Sequence, residues 1–157
     1  TQVVGRSGRG EKPGRAVLQT WSPENEVMVL ASRQDYDAFY REEREMRRIL
    51  RFPPFTDLFR ITVTGQEENQ VLRLCAVLRR SLEPWVARRQ AEGQETEVLG
   101  PAPAGILKVN NRYRYCILLK SRNDKDTRAI LAQVIRMAMQ DKVNRGLSVL
   151  TDVNPMD

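Results

Sequence analysis

Polar and apolar positions alternate from Leu58 to Thr64 (LFRITVT), with Leu58, Arg60, Thr62 and Thr64 on one side and Phe59, Ile61 and Val63 on the other. A period of two predicts a strand. Gly65 turns the chain, and from Glu67 to Ala91 the period lengthens. There Val71, Leu72, Leu74, Cys75, Leu78 and Leu82 make one stripe of a long amphipathic helix. Pro84 either kinks that helix or splits it. Thr96 to Leu99 predicts a short strand, whereas Gly100-Pro101-Ala102-Pro103-Ala104-Gly105 is too rich in Pro and Gly to predict regular structure. Arg112 to Lys120 (RYRYCILLK) predicts a third strand. Asp124 caps a second helix to Gln140, with Ile130, Leu131, Val134, Ile135 and Ala138 facing inward, and Leu147 to Val153 closes as a fourth strand.

From residue 55 onward the predicted order is therefore β-α-β-β-α-β. That is an α+β class, the split-βαβ or ferredoxin-like arrangement, with an antiparallel sheet and both helices on one face. Many unrelated functions use it, so the order alone assigns none. Ahead of it the pattern differs. Arg15 to Trp21 reads as a strand, and Ser22-Pro23 as a helix start with Ser22 as N-cap and Pro23 at the first helical position. Tyr36 to Leu50 reads as a helix carrying Tyr36, Phe39, Tyr40, Met46, Ile49 and Leu50. Its Glu43/Arg47 and Glu45/Arg48 spacings suit a solvated face. Phe52-Pro53-Pro54-Phe55 ends it, because proline cannot donate and restricts the residue before it. Three segments follow from this reading: 1–21, a helical connector 22–54, and a C-terminal domain 55–157.

Length suits one compact domain with an extension: 157 residues, 41% hydrophobic and 29% charged. The 26 basic against 20 acidic residues leave a net charge of +6, which favours an anionic partner, nucleic acid before an acidic protein tail. There is no histidine, so histidine acid–base chemistry is excluded. Cys75 and Cys116 read as buried small hydrophobes and are too few for a tetrahedral zinc site, so no metal ligands are assigned. No apolar run approaches membrane-spanning length. The low cysteine count fits a reducing, cytoplasmic setting.

The most specific local signal is the opening Gln2-Val3-Val4-Gly5-Arg6-Ser7-Gly8-Arg9. It sets two guanidinium forks three residues apart, each preceded by a glycine that permits close backbone approach. Such forks match phosphate oxygens bidentately. The pattern Q-x-x-G-R-x-G-R resembles the last motif of superfamily 2 helicases, found in the second RecA-like lobe, where it closes over ATP. That resemblance implies that Arg6 and Arg9 are catalytic and reach the triphosphate, Arg9 as an arginine finger. It implies that Gln2, Gly5 and Gly8 belong to the nucleotide site. The phosphate loop such an enzyme needs occurs nowhere; Gly8-Arg9-Gly10-Glu11-Lys12 comes nearest, and no Ser or Thr follows Lys12. The chain therefore reads as the C-terminal piece of a longer protein, unable alone to turn over ATP.

Two further clusters are basic. Lys108, Arg112, Arg114 and Lys120 interleave with Tyr113 and Tyr115, the components of a nucleic-acid surface. On a strand Arg112, Arg114 and Lys120 share one parity. The alternative is that the tyrosines fill a sheet–helix core while the arginines meet solvent. Arg122 and Lys125, at the turn into the second helix, suit an acidic peptide tail or simply water.

QVVGRSGRGEKPG, DYDAFYREEREMRRILRFPPF, EVLGPAPAGILKVNNRYRYCILLK and the closing DVNP occur in that order. Together they resemble the C-terminal end of the primosomal protein N′ (PriA) family, replication-restart DNA helicases. The resemblance implies that residues 1–21 end helicase lobe 2 and that residues 55–157 help bind forked or branched DNA. It implies an intact monomeric enzyme that unwinds DNA 3′ to 5′ with ATP and magnesium, restarts replication, and meets single-stranded DNA-binding protein and primosome proteins. The family's zinc ligands lie upstream, outside this sequence. The competing expectation is an interaction module for the acidic tail of single-stranded DNA-binding protein or another primosome component, without DNA contact of its own.

Overall fold

The computed structural model describes residues 15–155. The motif Gln2, Gly5, Arg6, Gly8 and Arg9 lies outside them. The chain divides after Leu50 into two compact units.

The first unit contains two helices, α1 (Glu26–Arg33) and α2 (Tyr36–Ile49). Asn25, not Ser22, caps α1: its side chain accepts from the Val27 amide at 3.0 Å, while the Ser22 carbonyl accepts from the Asn25 amide in a preceding turn. Asparagine caps as well as serine does, and it stands nearer the apolar run. Gln34 takes a left-handed φ of 55° between the helices, and Asp35 caps α2 through the Ala38 amide. The Glu43–Arg47 pair forms at 2.6 Å, as its spacing predicts. Residues 15–20 are not a strand. Alternation prepares a segment for a sheet, but the ladder needs a neighbour, and none pairs with it among the described residues.

The second unit is α+β. Its elements are β1 (Asp57–Gly65), α3 (Glu68–Ala91), β2 (Glu97–Val109), β3 (Arg112–Ser121), α4 (Lys125–Gln140), a 3₁₀ turn (Lys142–Asn144) and β4 (Ser148–Val153). The strands form one sheet in the order β2-β3-β1-β4, every pair antiparallel. Pairing Phe59 with Leu119 and Ile61 with Ile117 puts all four on one face. There they meet Val71, Leu74, Cys75, Leu78 and Leu82 of α3 and Leu131, Val134 and Ala138 of α4, all buried in one core. Burial pushes the Cys75 thiol up to about 12, leaving it an inert space-filler.

Two breaker-containing stretches stay within regular elements, which excludes a split at Pro84 and overturns the loop expected at residues 100–105. Helix α3 runs unbroken through Pro84, whose ring lies on the exposed side. Strand β2 continues through the Gly-Pro segment to Val109, in place of the predicted stop at Leu99. It is an edge strand with register irregularities between Leu99 and Ala102 and between Pro103 and Lys108. Edges and bulges are where a strand tolerates residues that cannot donate.

Gly65 is the last residue of β1 and pairs with Tyr113. A methyl group there would run into the Leu147 side chain and stand 2.9 Å from Val71 Cγ2. We therefore expect Gly65→Ala to cost about 1–3 kcal/mol by overpacking. Gly105→Ala, whose new methyl meets nothing within 4 Å, should stay within about 0.5 kcal/mol. Thermal melts followed by circular dichroism compare the two; equal melting temperatures would remove the packing role assigned to Gly65.

Candidate nucleic-acid interface

The basic cluster is carried by the β2–β3 hairpin. Asn110 and Asn111 have φ of 48° and 58° between the pair Val109–Arg112. Two consecutive left-handed residues make the tight turn whose twist suits a hairpin, and asparagine tolerates that region. The turn fixes the parity of every residue on β3.

That parity separates the expected partners. Tyr113 and Tyr115 lie on the helix side, partly buried against the core. The Tyr115 hydroxyl donates to Glu68 at 2.5 Å, and this hydrogen bond raises the phenol's pKa. Lys108 stands 4.4 Å from the centre of the Tyr113 ring. The tyrosines thus serve packing, and Tyr113 also carries a cation over its face.

The cations of the cluster have different employments. Arg112 reaches past the end of β1, donating to the carbonyls of Thr64 at 3.1 Å and Gly146 at 2.9 Å. It ties the start of β3 to β1 and to the entry of β4. Lys120 is nearly covered, 3.8 Å from Glu97 and 4.7 Å from the Phe52 ring, and Glu97 also meets Arg51 at 3.4 Å. It anchors the segment leading into β1. Arg114 forms no hydrogen bond or ion pair among the described residues, and Lys108 is exposed. Within this hairpin cluster, these two keep charge available to an outside anion.

Arg122 and Lys125 are both exposed. Arg122 lines a shallow depression with Pro54, Phe55, Asp57 and Glu95, so carboxylates stand on the same wall. Lys125 opens α4 beside its cap, Asp124. Sequence reasoning missed the group behind them. Arg89, 5% exposed, pairs with Asp124 at 2.5 Å and Asp126 at 3.6 Å and lies over the Trp85 ring. Its signal was the spacing Leu82, Trp85, Val86, Arg89, which continues the apolar stripe of α3. The Thr127 amide first, then Arg89, hold the Asp124 carboxyl down to about 2. Among the described residues no group of three or more His, Cys, Asp or Glu is placed to hold a metal ion, and no helix is long and apolar enough to cross a membrane.

Residues 48–156 match the family model of the primosomal protein N C-terminal domain. The chain belongs to that family. Relatives of this primosomal protein N domain are named replication restart protein PriA. One from Bacillus subtilis is 30% identical over 155 residues, covering 99% of this chain and 18% of the relative. One from Synechocystis is 37% identical over 123 residues, covering 76% and 14%. One from Chlamydia pneumoniae is 32% identical over 161 residues, covering 99% and 20%. The chain thus spans a fifth or less of the length of these relatives.

The Arg89–Asp124 pair of this primosomal protein N domain makes its stability acid-sensitive. A carboxyl held below its ordinary 3.8 contributes fully above that pH and loses its contribution as pH falls towards 2. Asp124→Ala should cost about 2–4 kcal/mol, from the lost cap and from a buried guanidinium left with only the longer pair to Asp126. Asp124→Asn keeps the cap and should flatten the decline in stability between pH 4 and 2. Urea titrations at several pH values check both, and an unchanged acid slope in Asp124→Asn would remove the linkage.

Proposed function

We propose that this chain is the C-terminal part of an ATP-dependent 3′-to-5′ DNA helicase. The enzyme recognises stalled or abandoned replication forks and initiates restart through primosome assembly. Residues 55–157 are its branched-DNA-binding domain, of the ferredoxin-like split-βαβ kind that the element and strand orders support. The observation that carries the reading is the likeness to proteins named replication restart protein PriA along 99% of this chain. In the whole enzyme Arg6 and Arg9, with Gln2, Gly5 and Gly8, act on ATP and magnesium bound to the other lobe. Residues 1–21 end the second lobe, and 22–54 connect it to the DNA-binding domain. Single-stranded DNA-binding protein and primosome proteins are the partners, and the family's zinc belongs to the upstream part.

Charge distribution favours DNA over an acidic tail at this domain. Residues 98–123 include Lys108, Arg112, Arg114, Lys120 and Arg122 and not one Asp or Glu. The depression beside Arg122, by contrast, includes Asp57 and Glu95. An acidic tail would meet like charge there.

Fluorescence anisotropy of the 157-residue chain with forked, single-stranded and duplex DNA across a salt series tests this. We expect fork binding that weakens with salt, and a log–log slope reduced by about one for each of Lys108→Ala and Arg114→Ala. Arg112→Ala should act through stability, because its guanidinium holds backbone carbonyls. Absence of binding to any DNA at low salt would refute the DNA reading and favour the interaction module.

A further inference from the structure

The far end of the β2–β3 hairpin carries apolar side chains that no part of the core accounts for. Pro103 pairs with Tyr115 and Lys108 with Tyr113, so the four residues Ala104 to Leu107 stand opposite Arg114 alone. The surplus residues bulge from the sheet. At the bulge Ile106 is 63% exposed and Leu107 39%, and the space around Gly105 is open. Aliphatic side chains at a hairpin end gain nothing for folding by standing in water.

The surroundings of this apolar end are cationic. Lys108 follows Leu107 directly, and Arg114, without an ion pair among the described residues, lies across from the bulge. The hairpin contains no carboxylate between Val98 and Asn123. Glu68, the acid tied to β3 from α3, is engaged by the Tyr115 hydroxyl on the helix side of the sheet. An apolar bulge with flanking cations and no anions of its own fits a surface that is apolar at its centre and polyanionic around it.

A base pair at the end of a stack has that character. Along an uninterrupted duplex each pair is covered by its neighbours, and a protein meets only groove edges and phosphates. At a branch the last pair exposes its flat face, and aliphatic side chains stack on such faces where proteins wedge into DNA. We propose that the bulge of the β2–β3 hairpin is a branch-reading element. Ile106 and Leu107 cover the exposed base pair at a DNA junction, and Lys108 and Arg114 hold the phosphates on either side. This rests on the branched-DNA reading above and deepens it: the hairpin distinguishes a fork from plain duplex by an apolar contact, while the cations supply affinity common to both.

The test compares the full 157-residue chain with Ile106→Ser/Leu107→Ser, both substitutions lying at exposed positions. The probes are a fork and a duplex of the same sequence whose two ends are closed by loops, so that it exposes no terminal base pair. A second set carries 2-aminopurine in the pair at the branch, whose fluorescence reports stacking by the protein. We expect the serine variant to lose about tenfold in fork-over-duplex preference. Its closed-duplex affinity and salt slope should stay near those of the parent, and the 2-aminopurine response should disappear. Circular dichroism melts confirm that the variant is folded. A parent that prefers forks and a variant that prefers them equally would overturn the hairpin assignment while leaving fork binding intact. A parent that binds neither probe would overturn the branched-DNA reading itself. Loss of closed-duplex and fork binding in equal proportion would also overturn the proposal, since it would make the bulge a general contact.

Discussion

The second unit depends on which side of β1 and β3 the large side chains occupy. Phe59, Ile61 and Val63 on one strand and Ile117 and Leu119 on the other, all at 1% exposure or less, form the floor on which α3 lays five fully buried residues. Slipping β3 by one residue would turn its two core side chains outward and bring Leu118 and Lys120 inward. Register is therefore enforced by burial along the strand and by the Asn110–Asn111 turn at its start. Arg112 adds a third restraint, since its guanidinium fits the Thr64 and Gly146 carbonyls only when β1, β3 and β4 are aligned.

Much of this was legible because it is local. The alternation in LFRITVT and RYRYCILLK, the stripe from Val71 to Leu82 and the cap at Asp124 each depend on neighbours within a turn or two, and each element formed where they placed it. The misreadings have long-range causes. Residues 15–20 alternate like a strand, yet no pattern within a segment reveals whether a second strand lies beside it. Residues 100–105 look like a loop by composition, and only their place at the sheet edge makes them strand. The carbonyls that hold Arg112 are 48 and 34 residues away and the nearer carboxylate of Arg89 is 35 away, distances over which sequence spacing carries no information.

The same separation sorts the basic residues of the hairpin. From sequence, Arg112, Arg114 and Lys120 were equivalent members of one face. In the fold, Arg112 is a brace, Lys120 a clamp on Glu97 and Phe52, and half-buried Arg114 has no ion pair among the described residues. A basic patch drawn from charge alone would overstate what the surface can offer a polyanion. The tyrosine rings stand on the core side of the sheet, opposite in parity to Arg112 and Arg114.

The prolines of β2 have one more consequence. An edge strand exposes a row of donors and acceptors that any passing extended chain can complete, which is how sheets grow from one molecule into the next. Pro101 and Pro103 have no backbone donor to offer such a chain, and the register shifts around them keep the edge from running straight. The residues that made this stretch look unlike a strand also make the finished sheet a poor seed for aggregation.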